Sequence, residues 1–142
     1  NYATPALSIK REYYVKGKAV EQFNEDDLVE IRIYPSFTDK SLNDYYQITD
    51  FLPSGLKAIT KLYSYNIEYK CDTRYPYDIN GQMIKFGLYR DWNKYGCNST
   101  YFRYYARVVN PGEYVAEPAL LQSLKVMSMK SFSSTAVVKI TQ

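Results

Sequence analysis

The sequence contains no histidine. That absence excludes Ser-His-Asp and Cys-His catalysis and removes the commonest zinc ligand. No apolar run reaches the ~18 residues of a membrane-spanning helix, so no span is expected within this chain. A basic start followed by an apolar stretch and a cleavage site is also missing, so no signal peptide is read here. Lysine and arginine are scattered among acidic residues, and the formal net charge is only +3, which argues against a nucleic-acid partner. There is neither a glycine-rich phosphate loop nor a nucleophile elbow. Catalytic residues, a metal site and a cofactor are therefore all expected to be absent.

What is abundant is tyrosine: 17 Tyr and 6 Phe stand against a single Trp. A phenol ring packs on a pleated surface while its hydroxyl stays wet, so this bias favours strands over helices. A length of 142 residues with 46% hydrophobic content suits one domain, residues 1–142, around one core. The ends read as those of a module taken from a larger, exported protein.

Strand signals recur along the chain. Leu7 to Val15 alternates and stops at Lys16-Gly17-Lys18. In Leu28 to Pro35, Val29, Ile31 and Ile33 share one side, with Glu30 and Arg32 on the other. Tyr45 to Phe51 ends at Leu52-Pro53-Ser54-Gly55, a turn-type cluster, and Leu62 to Ile67 alternates weakly. Asn80-Gly81 is a hairpin signal ahead of Met83 to Tyr89. Asp91 to Gly96 reads as a loop. Phe102, Tyr104, Ala106 and Val108 then oppose Arg103, Tyr105 and Arg107. Asn110-Pro111-Gly112 turns the chain, and Ala136, Val138 and Ile140 form the last inward set. Leu120 to Met129 is either a short helix, on the spacing of Leu120, Leu124 and Met127, or extended. Some seven short strands with long connections predict an all-β, antiparallel, two-sheet β-sandwich of immunoglobulin-like type.

Two cysteines, Cys71 and Cys97, in such a chain are expected to pair as a disulfide in an oxidising compartment. The acidic run Glu25-Asp26-Asp27 invites a calcium reading but is followed by no cation loop, and a solvated turn is the better account. Asp39, Asp44 and Asp50 support no paired-carboxylate chemistry. Asn98-Ser99-Thr100 matches the N-glycosylation pattern, a triplet common by chance. Tyr63, Tyr65, Tyr75, Tyr77 and Trp92 are a candidate aromatic interaction surface, although tyrosines also fill ordinary half-exposed strand positions.

Two stretches together resemble a known family. Tyr46 to Leu56 contains Asp50-Phe51-Leu52-Pro53-Ser54-Gly55-Leu56, similar to the D-x-L-P-x-G-L element in the last domain of bacterial alpha-2-macroglobulin-like proteins. Phe102 to Ala119 is similar to that domain's late hairpin, and the serine-rich Ser131 to Thr135 and a closing strand follow in the family's order. The resemblance implies a non-catalytic macroglobulin-like sandwich within a secreted or envelope-tethered protease inhibitor. Its partners would be other domains of the same chain, a thioester domain among them, and proteases through the whole parent. The thioester motif Cys-x-x-Gln is not present: Asp72-Thr73-Arg74 follow Cys71, and Asn98-Ser99-Thr100 follow Cys97. Because L-P-x-G-L also occurs in repeat domains of bacterial surface adhesins, a β-sandwich repeat binding a host glycan or protein is the alternative.

Overall fold

Strict alternation in the first long strands sets an inner and an outer face. The computed structural model describes residues 5–94 and 97–142. In β1, Leu7–Val15, the side chains of Leu7, Ile9 and Tyr13 are buried. Lys16 and Gly17, both with positive φ, reverse the chain into β2, Lys18–Ala19. A short β3, Gln22–Asn24, precedes β4, Leu28–Phe37, where Val29, Ile31 and Ile33 are wholly buried. The strands β5 (Tyr45–Phe51) and β6 (Leu56–Ala58) flank the turn at Pro53. Beyond them lie β7 (Asp78–Asn80), β8 (Met83–Tyr89) and β9 (Phe102–Val108). The chain closes with β10 (Gly112–Ala116), β11 (Leu120–Ser123), β12 (Lys130–Phe132) and β13 (Ala136–Thr141).

Two five-stranded sheets, ordered β2-β1-β4-β9-β6 and β12-β11-β5-β8-β7, face each other. The core lies between them. Phe86 of β8 packs on Phe102 and Tyr104 of β9 with ring centroids 4.9 and 5.1 Å apart, and Phe37 packs on Tyr46 at 4.7 Å. Each such side chain taken out of water contributes roughly 1.5–3 kcal/mol. A third, three-stranded sheet β10-β13-β3 adds Ala116, Val138, Ile140 and Phe23 to the same core. The predicted all-β sandwich is the fold. One pairing departs from the antiparallel expectation: β13 runs parallel to β3, Ile140 opposite Phe23.

The boundaries read for Tyr45–Phe51, Met83–Tyr89 and Phe102–Val108 are those of β5, β8 and β9. Elsewhere the local pattern misled. The weak alternation at Leu62 to Ile67 is not a strand but a 3-10 turn over Leu62–Tyr65, ended by Asn66 in the left-handed conformation. Leu62 is buried there against Ile59 and Tyr105, a contact that the pattern did not carry. Leu120 to Met129 is extended at its start, because Leu121 pairs with Ile48 of β5. The helical stripe has no core to meet, since Leu124 and Met127 are exposed.

Candidate interaction surfaces

The two sequence motifs meet inside the fold. Asp50, the first residue of one, is wholly buried and accepts a hydrogen bond from the Tyr104 hydroxyl in the other. Its second oxygen accepts from Arg11 Nη1 at 2.7 Å and from the Phe51 amide at 2.9 Å. Arg11 also donates to the carbonyls of Glu117 and Ala116 at 2.6 and 3.3 Å, so one side chain ties β1, β5 and the end of β10. Burial works against the Arg11 charge, but Asp50 outweighs it and raises its pKa. Burial, then the Asp50 charge, hold the Tyr104 phenol well above its ordinary value, and the same causes raise Tyr13. The cluster is closed to substrate and spans the sheets, which makes it a structural bolt.

Gly55 shows the same interlock. A Cβ there would collide with the Tyr114 ring, and would sit 2.7 Å from the Asn110 carbonyl oxygen and 2.8 Å from Ile140 Cδ1. The Val109 amide donates to the Gly55 carbonyl at 2.8 Å, and the Leu56 amide donates to Pro53 at 2.9 Å. Gln82 Nε2 holds the turn from below through the Pro53 and Leu56 carbonyls, both at 2.8 Å. Tyr114 in turn donates toward the carbonyls of Asn110 and Pro111. In the serine-rich segment, Ser133 pairs with Ala119 through its amide and its Oγ, at 2.9 and 2.8 Å.

The aromatic residues singled out in the sequence do not form one platform. Tyr63 and Tyr65 project from the 3-10 turn, which covers the outer side of β9 at Tyr105. Tyr77 lies on the other side of the sandwich, its hydroxyl bonded to Gln47, which alternates with the inward Tyr46 and Ile48 of β5. Tyr75 stacks on Tyr69 with centroids 5.3 Å apart, a partner the sequence reading passed over. Trp92 is half-buried and meets the edge of Phe102 at 6.0 Å. Of the acidic run, Glu25 and Asp26 are exposed, while the Asp27 carboxylate accepts the Asn24 amide at 2.8 Å and closes the turn.

The outer face of the first sheet carries a ladder of tyrosines and guanidinium groups. Arg32 lies 3.7 Å from the Tyr14 ring centroid and 4.6 Å from that of Tyr101. Arg103 holds Asp72 with two bonds, Nε to Oδ1 at 2.7 Å and Nη2 to Oδ2 at 2.6 Å, and reaches Glu30 at 3.2 Å. Burial opposes the Arg103 charge, but the bonds to Asp72 and the charge of Glu30 raise its pKa. Arg32 and Arg103 are thus answered by Glu30 and Asp72, whereas Arg107, further along β9, has no ion-pair partner among the described residues.

The expected disulfide is absent. Cys71 and Cys97 are both exposed, free thiols. The two sulfurs are not at bonding distance, which is why the pairing expected from the cysteine count is not made. Both line a cavity of about 250 Å³ with Tyr69, Arg74, Trp92 and Ser99. The adjacent loop residues 95 and 96, which were read as the end of the Asp91 loop, lie outside the described residues.

Together these features define a β-sandwich with its motif residues in the scaffold. The solved structures it is similar to are bacterial alpha-2-macroglobulins. Against native Escherichia coli alpha-2-macroglobulin from domain MG7 to the C-terminus, the likeness covers 99% of this chain and 24% of that one, at TM-score 0.71 and 17% identity. Salmonella alpha-2-macroglobulin reacted with methylamine is matched over 99% of this chain and 9% of that one, at TM-score 0.70 and 15% identity. The Escherichia coli protein activated by porcine elastase gives TM-score 0.72 at 17% identity, over 99% of this chain and 13% of that one. The chain thus spans less than a quarter of the length of each of these structures. No protein-family model matches the sequence, and no curated protein is similar to it.

Proposed function

We propose that this chain is the last macroglobulin-like domain of a bacterial alpha-2-macroglobulin-like protease inhibitor, and that its role is structural. It packs against neighbouring domains of the same chain, a thioester domain among them, and moves with them when a protease cleaves the parent. The observation that carries this reading is the shared fold over 99% of the chain with a structure of Escherichia coli alpha-2-macroglobulin that spans domain MG7 to the C-terminus. The interlocked motifs support it, because Asp50, Gly55, Tyr104 and Tyr114 are used to join strands and none is offered to solvent as a reactive group. With no histidine and no Cys-x-x-Gln here, covalent chemistry would belong to another part of the parent.

The parent of such a domain would be secreted or held in the cell envelope. The exposed Tyr63 and Tyr65 on one side of the sandwich, Tyr77 on the other and the stacked Tyr75 are the residues offered for contact with adjoining domains, with Trp92 half-buried against Phe102.

The deciding experiment is limited proteolysis of the full-length parent, with and without methylamine, read by native gel and mass spectrometry. Compaction after cleavage, with a methylamine-sensitive thiol appearing elsewhere in the chain, is the expected result. Absence of both, together with tandem copies of this sandwich in the parent, would replace this reading by the adhesin repeat.

A further inference from the structure

We infer that the cavity behind the cysteine pair is a binding site for a single carboxylate, with Arg74 as its cation. Arg11, Arg32, Arg90 and Arg103 each meet a carboxylate. Arg74 does not. Among the described residues its guanidinium has no hydrogen-bond or ion-pair partner and only the Phe102 ring, 5.7 Å away at its centroid, beside it, although it is half-buried and lines the cavity of about 250 Å³. Its position is fixed by the backbone: the Arg74 amide donates to the Arg103 carbonyl at 3.0 Å, and Thr73 forms a bridge with Arg103. Burial, partly opposed by Tyr69, lowers the Arg74 pKa, which is the mark of a charge with no compensating anion.

The walls choose the ligand. Asp72 also lines the cavity, but both its oxygens are held by Arg103, so it offers Arg74 no hydrogen bond. With Asp72 and Arg103 offsetting each other, Arg74 is the cation left to a ligand, and one carboxylate matches one guanidinium in charge and in its two-pronged geometry, whereas a dianion such as phosphate would keep an unanswered charge. Ser99 Oγ accepts the Tyr101 amide at 3.2 Å and keeps its own proton to donate. Tyr69, Trp92 and Phe102 supply apolar wall for a methylene stem. The site therefore suits a carboxylate carried on a short aliphatic chain, either a free small acid or an acidic side chain of an adjoining segment.

This inference stands whether or not the protease-inhibitor reading holds, because its test uses only the chain itself. Propionate, blocked glutamate (N-acetylglutamate amide) and inorganic phosphate are titrated while the Arg74 Nε–H signal is followed by 1H–15N NMR. Saturable shifts at Arg74 with both carboxylates, and not with phosphate, are expected. Arg74→Gln should abolish them, and Arg74→Lys should weaken binding about tenfold through loss of the second prong. Tighter binding of blocked glutamate assigns the site to an acidic side chain, and equal binding assigns it to a free acid. Arg74→Gln should keep the native amide spectrum and an unchanged or higher melting midpoint, since it strands no partner charge. Non-saturating shifts, shifts that persist in Arg74→Gln, or a preference for phosphate would overturn the inference.

Discussion

The Arg11 guanidinium donates to Asp50 Oδ1 at 2.7 Å with the two side chains 1% and 0% exposed, joining positions 39 residues apart across the sandwich. Removing one partner leaves the other charged and dry, which costs about 3–5 kcal/mol. Arg11→Met and Asp50→Leu should each lower the denaturant midpoint by that order. The double variant should recover much of the loss, because an apolar pair leaves no stranded charge. Urea titrations of the three variants measure it, and additive losses would contradict the assignment.

Tyr13 and Tyr104 give the fold an alkaline limit. Burial and Asp50 raise both phenols above their ordinary value. Below about pH 10 folded and unfolded chains both carry neutral phenols, so these groups add no pH dependence. Above it the unfolded chain releases protons that the folded chain keeps, and stability falls by about 1.4 kcal/mol per pH unit for each tyrosine. Tyr104→Phe should remove one tyrosine's share of that slope, to which the raised Tyr34, Tyr46, Tyr101 and Tyr105 also add. At neutral pH it should cost about 1–3 kcal/mol, because an Asp50 oxygen loses its donor. Melting curves from pH 8 to about pH 11 separate the two effects.

Two glycines should respond oppositely to alanine. At Gly55 the added carbon meets the Asn110 carbonyl and Ile140, so Gly55→Ala should cost at least about 1–3 kcal/mol, as overpacking does. At the exposed Gly87 the nearest atom is Tyr77 Cδ2 at 4.0 Å, and alanine should be neutral or stabilising by up to about 1 kcal/mol. Paired denaturation midpoints test this, with Gly87→Ala as the control for glycine loss in general.

The thiols give a count. Reduced native chain should alkylate at both Cys71 and Cys97, since both are exposed. After mild oxidation followed by denaturation it should still alkylate at both, because the two thiols stand free of one another in the fold. Loss of both thiols without added reductant would contradict this arrangement.

Period-two strands were legible because their signal is local. Val29, Ile31 and Ile33 are buried in β4, as alternation requires, and Glu30 and Arg32 lie on the outer side. Even the buried charges left a trace. Arg11 has the parity of Leu7, Ile9 and Tyr13, and Asp50 that of Tyr46 and Ile48, so each sat at an inward position before any partner was known. A polar residue at core parity was the available sign, and the reading that set Asp50 among unrelated carboxylates passed over it.

The sequence by itself determined that this is a β-protein with inward and outward faces, sharp turns at Pro53 and Gly112, and no histidine chemistry. Those properties follow from composition and from the two-residue repeat of an extended chain. Tertiary structure alone decided that Arg11 meets Asp50, that Gly55 lies under Tyr114, that Leu62 turns down onto Tyr105, and that Tyr63 and Tyr77 occupy opposite sides. Each of these is a contact between segments distant in the chain. Its energy comes from the removal of water between surfaces that no local pattern can bring together.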